Sequence, residues 1–311
     1  MGCAMAQPEN LFNNRLNLNR RLVLGAGAFL VASAGRSDRG FAMQKFESGR
    51  VMSDGLGIYY EVHGEPLAGR TPMVLIAGGL MPIEIAFAPD LLPRFAKHRP
   101  VIAIEPQGHG HTADRPAAPS MEQMAEDVRA VLDHLKVGKA HLLGHSLGGM
   151  ILTGLAIRHP DRVASLVPVS APYTFDGMQA ELVVLQRDPT HVPSPQLIPL
   201  LPTEADFASW KAVYERVNPD PKSFDRVVEK LNVMLGNWPG WRPEEVKTIK
   251  APTLVALGDN DFMRVDFAAQ MARLIPHAQL AVLPDTTHMD ICLKRGAWLE
   301  PMVEANIARA T

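Results

Sequence analysis

Cysteine is almost missing from this 311-residue chain. Its two cysteines, Cys3 and Cys292, are too few for a disulfide framework or a cysteine-rich zinc site. Neither sign of charge dominates. Lys and Arg number 31 against 33 Asp and Glu, for a net charge of −2, so nothing calls for nucleic acid or an acidic membrane as partner. No apolar run reaches the roughly 20 residues of a spanning helix, which excludes an ordinary transmembrane segment. Internal repeats are also lacking, which excludes a solenoid. What remains is 47% hydrophobic and 21% charged, the balance of a globular protein rather than a disordered one. A chain of this length can bury roughly three quarters of its unfolded surface, so the core needs no disulfide or metal staple.

The first residues form a separate object. Arg20 and Arg21 precede a short apolar run, 22–34 (LVLGAGAFLVASA), which ends in Ala32-Ser33-Ala34, small residues of the kind a signal peptidase accepts. The arginine pair resembles a twin-arginine export signal. It departs from that pattern at Asn19, Val23 and Gly25, and no lipoprotein cysteine follows the run. The expectation is that 1–34 is an export signal and the product periplasmic or secreted. The alternative is a cytoplasmic product whose translation starts near Met43.

From residue 45 onward, strands alternate with helices. Residues 45–53 and 58–62 suit a hairpin around Asp54-Gly55. The continuous apolar runs 73–77 (MVLIA) and 101–104 (VIAI) suit strands buried on both faces of a parallel sheet. Helical spacing covers 121–135, with Ser120 as N-cap. The strands 140–143, 163–169, 253–257 and 280–283 and the helices 147–158, 267–274 and 298–308 continue the βαβα rhythm of a doubly wound α/β sheet. Between residues 172 and 243 the rhythm fails. Prolines crowd at 189, 193, 195, 199 and 202, then two helical stretches follow, 204–217 and 223–235. This segment reads as a helical cap inserted into a core of 45–171 and 244–311.

Gly144-His145-Ser146-Leu147-Gly148 is a G-x-S-x-G pattern. Alone it is weak, since chance places one in roughly one chain in ten of this length. Here it follows an apolar strand and opens a helix. That context puts Ser146 on a tight, strained turn and the Leu147 amide at a helix N-terminus, where the dipole favours developing negative charge. A serine hydroxyl needs a base. His288 follows the last strand, and the acid cluster Asp259-Asn260-Asp261 follows the strand 253–257. All three groups fall at C-terminal strand ends, where open α/β sheets place their sites. Asp259 competes with Asp261 as the acid and has a turn-capping reading. Asp176 is a third option.

On these residues, 51–171 and 244–308 resemble the α/β-hydrolase fold. GHSLGG (144–149) resembles the nucleophile elbow of its lipase, esterase and peroxidase-like branch. APTLVALGDNDF (251–262) resembles the acid-bearing turn, LPDTTHM (283–289) the turn of the catalytic histidine, and GHGHTADRP (108–116) the loop after the fourth strand, where Glu105 and Gln107 replace the usual residues. The resemblance implies a catalytic triad of Ser146, His288 and Asp261, the acid sitting three residues after the glycine. It also implies an oxyanion hole from the amides of Leu147 and Gly79. Ala77 stands where the family has histidine, and Leu80 is one residue off the donor position. A serine at 146 excludes relatives whose nucleophile is aspartate.

Other features have plainer readings. His109 and His111 lack a third ligand at zinc spacing and read as loop residues. His145 packs beneath the elbow, and Cys292 reads as a small buried residue. Leu80, Trp238 and Trp241 are candidate pocket residues, the two tryptophans equally readable as cap packing. The leading expectation is a serine hydrolase of a small or medium apolar ester or lactone, needing no cofactor or metal. Alternatives on the same triad are a C–C bond hydrolase and a cofactor-free perhydrolase; in a different class, a ligand-binding receptor with a weak triad. Its partner is a small ester-like molecule, and the oligomeric state is not readable.

Overall fold

In the computed structural model, residues 46–67, 70–188 and 190–310 are described; the export-signal reading of 1–34 lies outside them. The hairpin comes first. β1 (Glu47–Ser53) and β2 (Leu56–His63) turn at Asp54-Gly55, whose φ angles of 44° and 74° suit a two-residue turn. β3 (Met73–Ile76) and β4 (Val101–Glu105) are buried at every position, as two-face burial requires. β5 (Ala140–His145), β6 (Val163–Val169), β7 (Thr253–Asn260) and β8 (Ala278–Thr287) complete an eight-stranded sheet of order β1-β2-β4-β3-β5-β6-β7-β8. β2 runs antiparallel to β1 and β4, and every other pairing is parallel.

Helices cover both faces. α1 (Ile83–Ala86) and α2 (Leu91–Phe95) follow β3, α3 (Met121–His134) follows β4, and α4 (Leu147–Arg158) follows β5. The Ser120 hydroxyl caps α3 by accepting from the Gln123 amide at 3.1 Å. Between β6 and β7 come α5 (Ala180–Arg187), α6 (Glu204–Val217), α7 (Phe224–Asn237) and α8 (Pro243–Val246). α9 (Val265–Leu274) precedes β8, and α10 (Asp290–Leu293) and α11 (Gly296–Ala308) close the chain. One apolar layer joins α3, α4 and α9 to the sheet, and a second joins α1, α2, α10 and α11 to its other face. No helix among the described residues is long and apolar enough to cross a membrane.

The helices between β6 and β7 are tied back to the loop after β4. Asn218 Nδ2 donates to the carbonyls of Gly110 (2.7 Å) and Thr112 (3.0 Å). Lys230 Nζ donates to Asp114 (2.8 Å) and the Arg115 carbonyl (2.6 Å). α6 is started by a capping box in which Thr203 and Asp206 exchange bonds. α5 was not expected; none of its side chains is buried, so it carries little helical periodicity to read.

Candidate active site

Ser146 alone separates β5 from α4. Its φ of 51° and ψ of −119° lie where a non-glycine residue stores of order 1–3 kcal/mol. Its amide donates to the Val169 carbonyl at 2.8 Å, and its carbonyl accepts from the Met150 amide at 3.1 Å. The flanking glycines are required by close approach. A Cβ at Gly148 would stand 2.2 Å from the Ile76 carbonyl oxygen, and one at Gly144 2.4 Å from the Gly148 backbone. The Gly148 amide donates to the Ala77 carbonyl at 3.1 Å, locking the turn after β3 against the elbow. No acceptor among the described residues lies against the amides of Gly79 or Leu147, and both residues border the same cavity as Ser146.

β7 and β8 deliver the other two groups. His288 Nδ1 and Asp261 Oδ1 are 2.8 Å apart, with both side chains almost fully buried. Asp261 Oδ1 also accepts from the Met263 amide at 3.1 Å, and Oδ2 from the Ser170 hydroxyl at 2.5 Å and the Gly258 amide at 3.2 Å. Burial works against the charge of Asp261, but the His288 imidazole, the Ser170 hydroxyl and the Met263 amide outweigh it and hold the carboxyl below the usual carboxylate range. A carboxylate acceptor fixes the proton on His288 Nδ1, which leaves Nε2 as the basic nitrogen. The Phe262 ring stacks on His288 at 4.2 Å and 17°. From beneath, His145 Nε2 donates to the His288 carbonyl at 2.9 Å. Burial, together with the neighbouring His288, pushes the His145 pKa down, so its ring stays a neutral support.

Asp259 does other work. It is exposed, and it accepts from the amides of Asp285 and Thr286, each at 3.0 Å, joining the ends of β7 and β8. Those amides, Thr286 first, lower its pKa. Asp176 lies in a single helical turn with its side chain 80% exposed.

The cavity over Ser146 has a volume of about 210 Å³. Its floor is the turn after β3, including Gly79 and Leu80, and the elbow; its roof comes from α5, α6 and α7. Leu80 lines it as expected, at a φ of 67°. Trp238 and Trp241 do not. The Trp241 ring packs on Gly154, where a Cβ would stand 2.4 Å away, and its Nε1 donates to the Met150 carbonyl at 3.0 Å. Trp238 packs edge-on against Trp241. The pocket aromatics are instead Phe175, Phe207, Trp210 and Phe262. Among the described residues, the hydrogen-bonding side chains of its wall outside the elbow and His288 are Gln186, Asn232 and the Trp210 indole.

Sequence reading did not find Ser170, Gln186, Asn232, Trp210 or Phe262. Ser170 follows β6 directly, a strand-end position like those of the other site groups. The residues on the helices between β6 and β7 carry no motif at all. Cys292 is a free, buried thiol whose pKa burial pushes up. His109 and His111 do not act as a pair. Buried His109 Nδ1 bonds the Gln107 carbonyl at 2.9 Å, while His111 Nδ1 faces Glu105 at 3.0 Å. Among the described residues, Glu84, Glu105 and His111 bring ligand atoms within 4.8 Å of one another. Glu105 is already occupied there, accepting from the amides of Ile83 and His111 as well as the His111 ring, so the cluster ties the loop after β4 to α1.

This fold, with a serine on a strained strand-to-helix turn beside a buried histidine–aspartate pair, defines a class: the chain belongs to the alpha/beta hydrolase fold family, whose model matches residues 71–294. Among individual relatives, the chain is 29% identical over 279 residues to the "Dihydrolipoyllysine-residue acetyltransferase component of acetoin cleaving system" of Pseudomonas putida, covering 84% of this chain and 69% of that one. It is 40% identical over 116 residues to the "Putative carbamate hydrolase RutD" of Caulobacter segnis, covering 37% of this chain and 43% of that relative's length. A solved structure titled "Est816 as an N-Acyl homoserine lactone degrading enzyme" superimposes with a TM-score of 0.65 at 28% identity, covering 81% of this chain and 98% of that one.

Proposed function

We propose that this protein is a serine hydrolase of uncharged, largely apolar carboxylic esters or lactones. The observation that carries this reading is the His288–Asp261 bond of 2.8 Å beside Ser146, under a roof to which the described residues bring no charged side chain. In this reading His288 Nε2 takes the Ser146 proton as Oγ attacks the substrate carbonyl, and Asp261 stabilises the imidazolium that forms. The free amides of Leu147 and Gly79 receive the oxyanion, with the dipole of α4 behind the first. The imidazolium then protonates the leaving oxygen, and water frees the acyl-enzyme by the same route. The solved relative named for N-acyl homoserine lactone degradation supports the lactone arm.

The charge of the cavity separates this reading from the C–C bond alternative. An anionic ring-cleavage product brings a carboxylate, and among the described residues no Lys or Arg lines this cavity to pair with it, so its burial there would cost several kcal/mol. A panel of p-nitrophenyl esters, γ-lactones and an anionic dienoate tests the proposal. Turnover of neutral esters or lactones with a burst of acyl-enzyme is expected. Turnover of the dienoate alone would refute it.

A further inference from the structure

Besides the Trp210 indole, two amide side chains interrupt the apolar roof of the cavity. Gln186 belongs to α5 and Asn232 to α7, both half-buried. Gln186 Nε2 donates to the Asn232 backbone carbonyl at 2.9 Å and to Asn232 Oδ1 at 3.2 Å. These bonds fix which way both amides face, and they leave Gln186 Oε1 without a donor and Asn232 Nδ2 without an acceptor among the described residues. Neither atom is shut off from solvent, so a ligand that displaces solvent from them without replacing its hydrogen bonds pays a desolvation cost.

Resting on the hydrolase reading above, we infer that this pair is a specificity device for a neutral group that both donates and accepts a hydrogen bond, an alcohol or an amide, carried on an apolar substrate. Such a group gives its hydrogen to Gln186 Oε1 and takes one from Asn232 Nδ2. A carboxylate meets only half of the pair, since it cannot donate to Oε1, and a plain hydrocarbon chain leaves both atoms bare. A ketone or ether satisfies Asn232 alone.

The test compares kcat/KM for p-nitrophenyl octanoate with three esters of equal chain length: the 7-hydroxyoctanoate, the 8-hydroxyoctanoate and N-propanoyl-4-aminobutyrate. One or two neutral hydrogen bonds predict a preference of about three- to tenfold for at least one of the three, and which one reports whether alcohol or amide is the group read. Gln186→Met and Asn232→Leu should each collapse that ratio toward one. Val233→Ser, on the exposed face of α7, should keep it. A wild-type ratio at or below one for all three, or a ratio that survives both cavity variants, overturns the inference. If neither these esters nor the γ-lactones are turned over, the hydrolase reading has failed, and the pair is read by binding instead. In the Ser146→Ala protein, nonan-2-ol should raise the melting temperature more than nonan-2-one, which cannot donate. Gln186→Met should erase that difference; equal shifts in the parent overturn the inference.

Discussion

Each group at the site is held by a neighbour whose loss can be measured. Ser146→Ala removes one oxygen from a turn whose backbone bonds remain, so turnover should fall by three or more orders of magnitude while thermal stability holds or rises slightly as strain is relieved. Asp261→Asn loses the carboxylate that fixes the His288 tautomer, and kcat should fall about a hundredfold or more. Asp259→Asn touches only the exposed β7–β8 link and should cost less than tenfold. The reverse order, measured as kcat on one ester, would make Asp259 the acid. Ser170 acts through Asp261, to which it donates. Ser170→Ala should therefore lower kcat a few fold with little change in KM, whereas Ser170→Thr, which keeps the hydroxyl, should recover most of the rate. Gly148→Ala brings a carbon within 2.2 Å of the Ile76 carbonyl, a clash that no rotamer relieves. It should yield little folded protein in soluble expression.

At the scale of elements, the helices between β6 and β7 shape the cavity, and the tryptophans divide by position. Trp210 on α6 lines the cavity, whereas Trp241 is buried against α4. Each buried methylene is worth about 0.8 kcal/mol, so kcat/KM on straight-chain esters should climb a few fold per carbon until the cavity fills. Trp210→Ala should move that optimum to longer chains. Trp241→Ala should leave the optimum in place and lower the unfolding free energy in urea by about 3–5 kcal/mol. A shift of the optimum by Trp241→Ala alone would contradict this division. The same division marks what the sequence could reveal. Strands such as MVLI and VIAIE announce themselves because burial on both faces demands unbroken apolar runs, and the elbow because close backbone approach demands glycine at 144 and 148. The residues of the helices between β6 and β7 obey no such rule. Leu182, Gln186 and Asn232 face the cavity through the mutual placement of three helices, a relation that no local spacing encodes. For that reason the sequence offers Trp238 and Trp241, which flank a Pro-Gly pair, as pocket residues and passes over Trp210. The short helices α1, α2 and α10, of four or five residues, are too brief to show a period.

Across the whole molecule the mostly parallel sheet sets Ser146, Asp261 and His288 at the C-terminal ends of its strands, and other polar groups lie buried in the same interior. Three of these are histidines held neutral. Burial pushes His141 down to about 4, where its ring meets the Ser165 hydroxyl at 2.9 Å, and burial also lowers His109 and His145. In the unfolded chain each takes a proton near pH 6.5. Between about pH 6.5 and 4 the unfolded state therefore binds more protons than the folded one, and the unfolding free energy must fall as pH falls. His111 acts in the opposite sense. Burial opposes its charge, but Glu105 and Glu84 outweigh it and raise its pKa, so it contributes stability in acid and offsets part of the loss. The slope per uncompensated histidine is at most about 1.4 kcal/mol per pH unit. Urea midpoints taken at pH 7, 6 and 5 should drop progressively, with the steeper part below 6.5. His141→Asn, which removes one of the titrating groups while keeping a polar partner for Ser165, should flatten the curve between pH 6 and 5 whatever it costs at pH 7. A midpoint that stays level from pH 7 to 5 in the parent protein, or a variant curve as steep as the parent's, would show that these buried rings do not govern its acid stability.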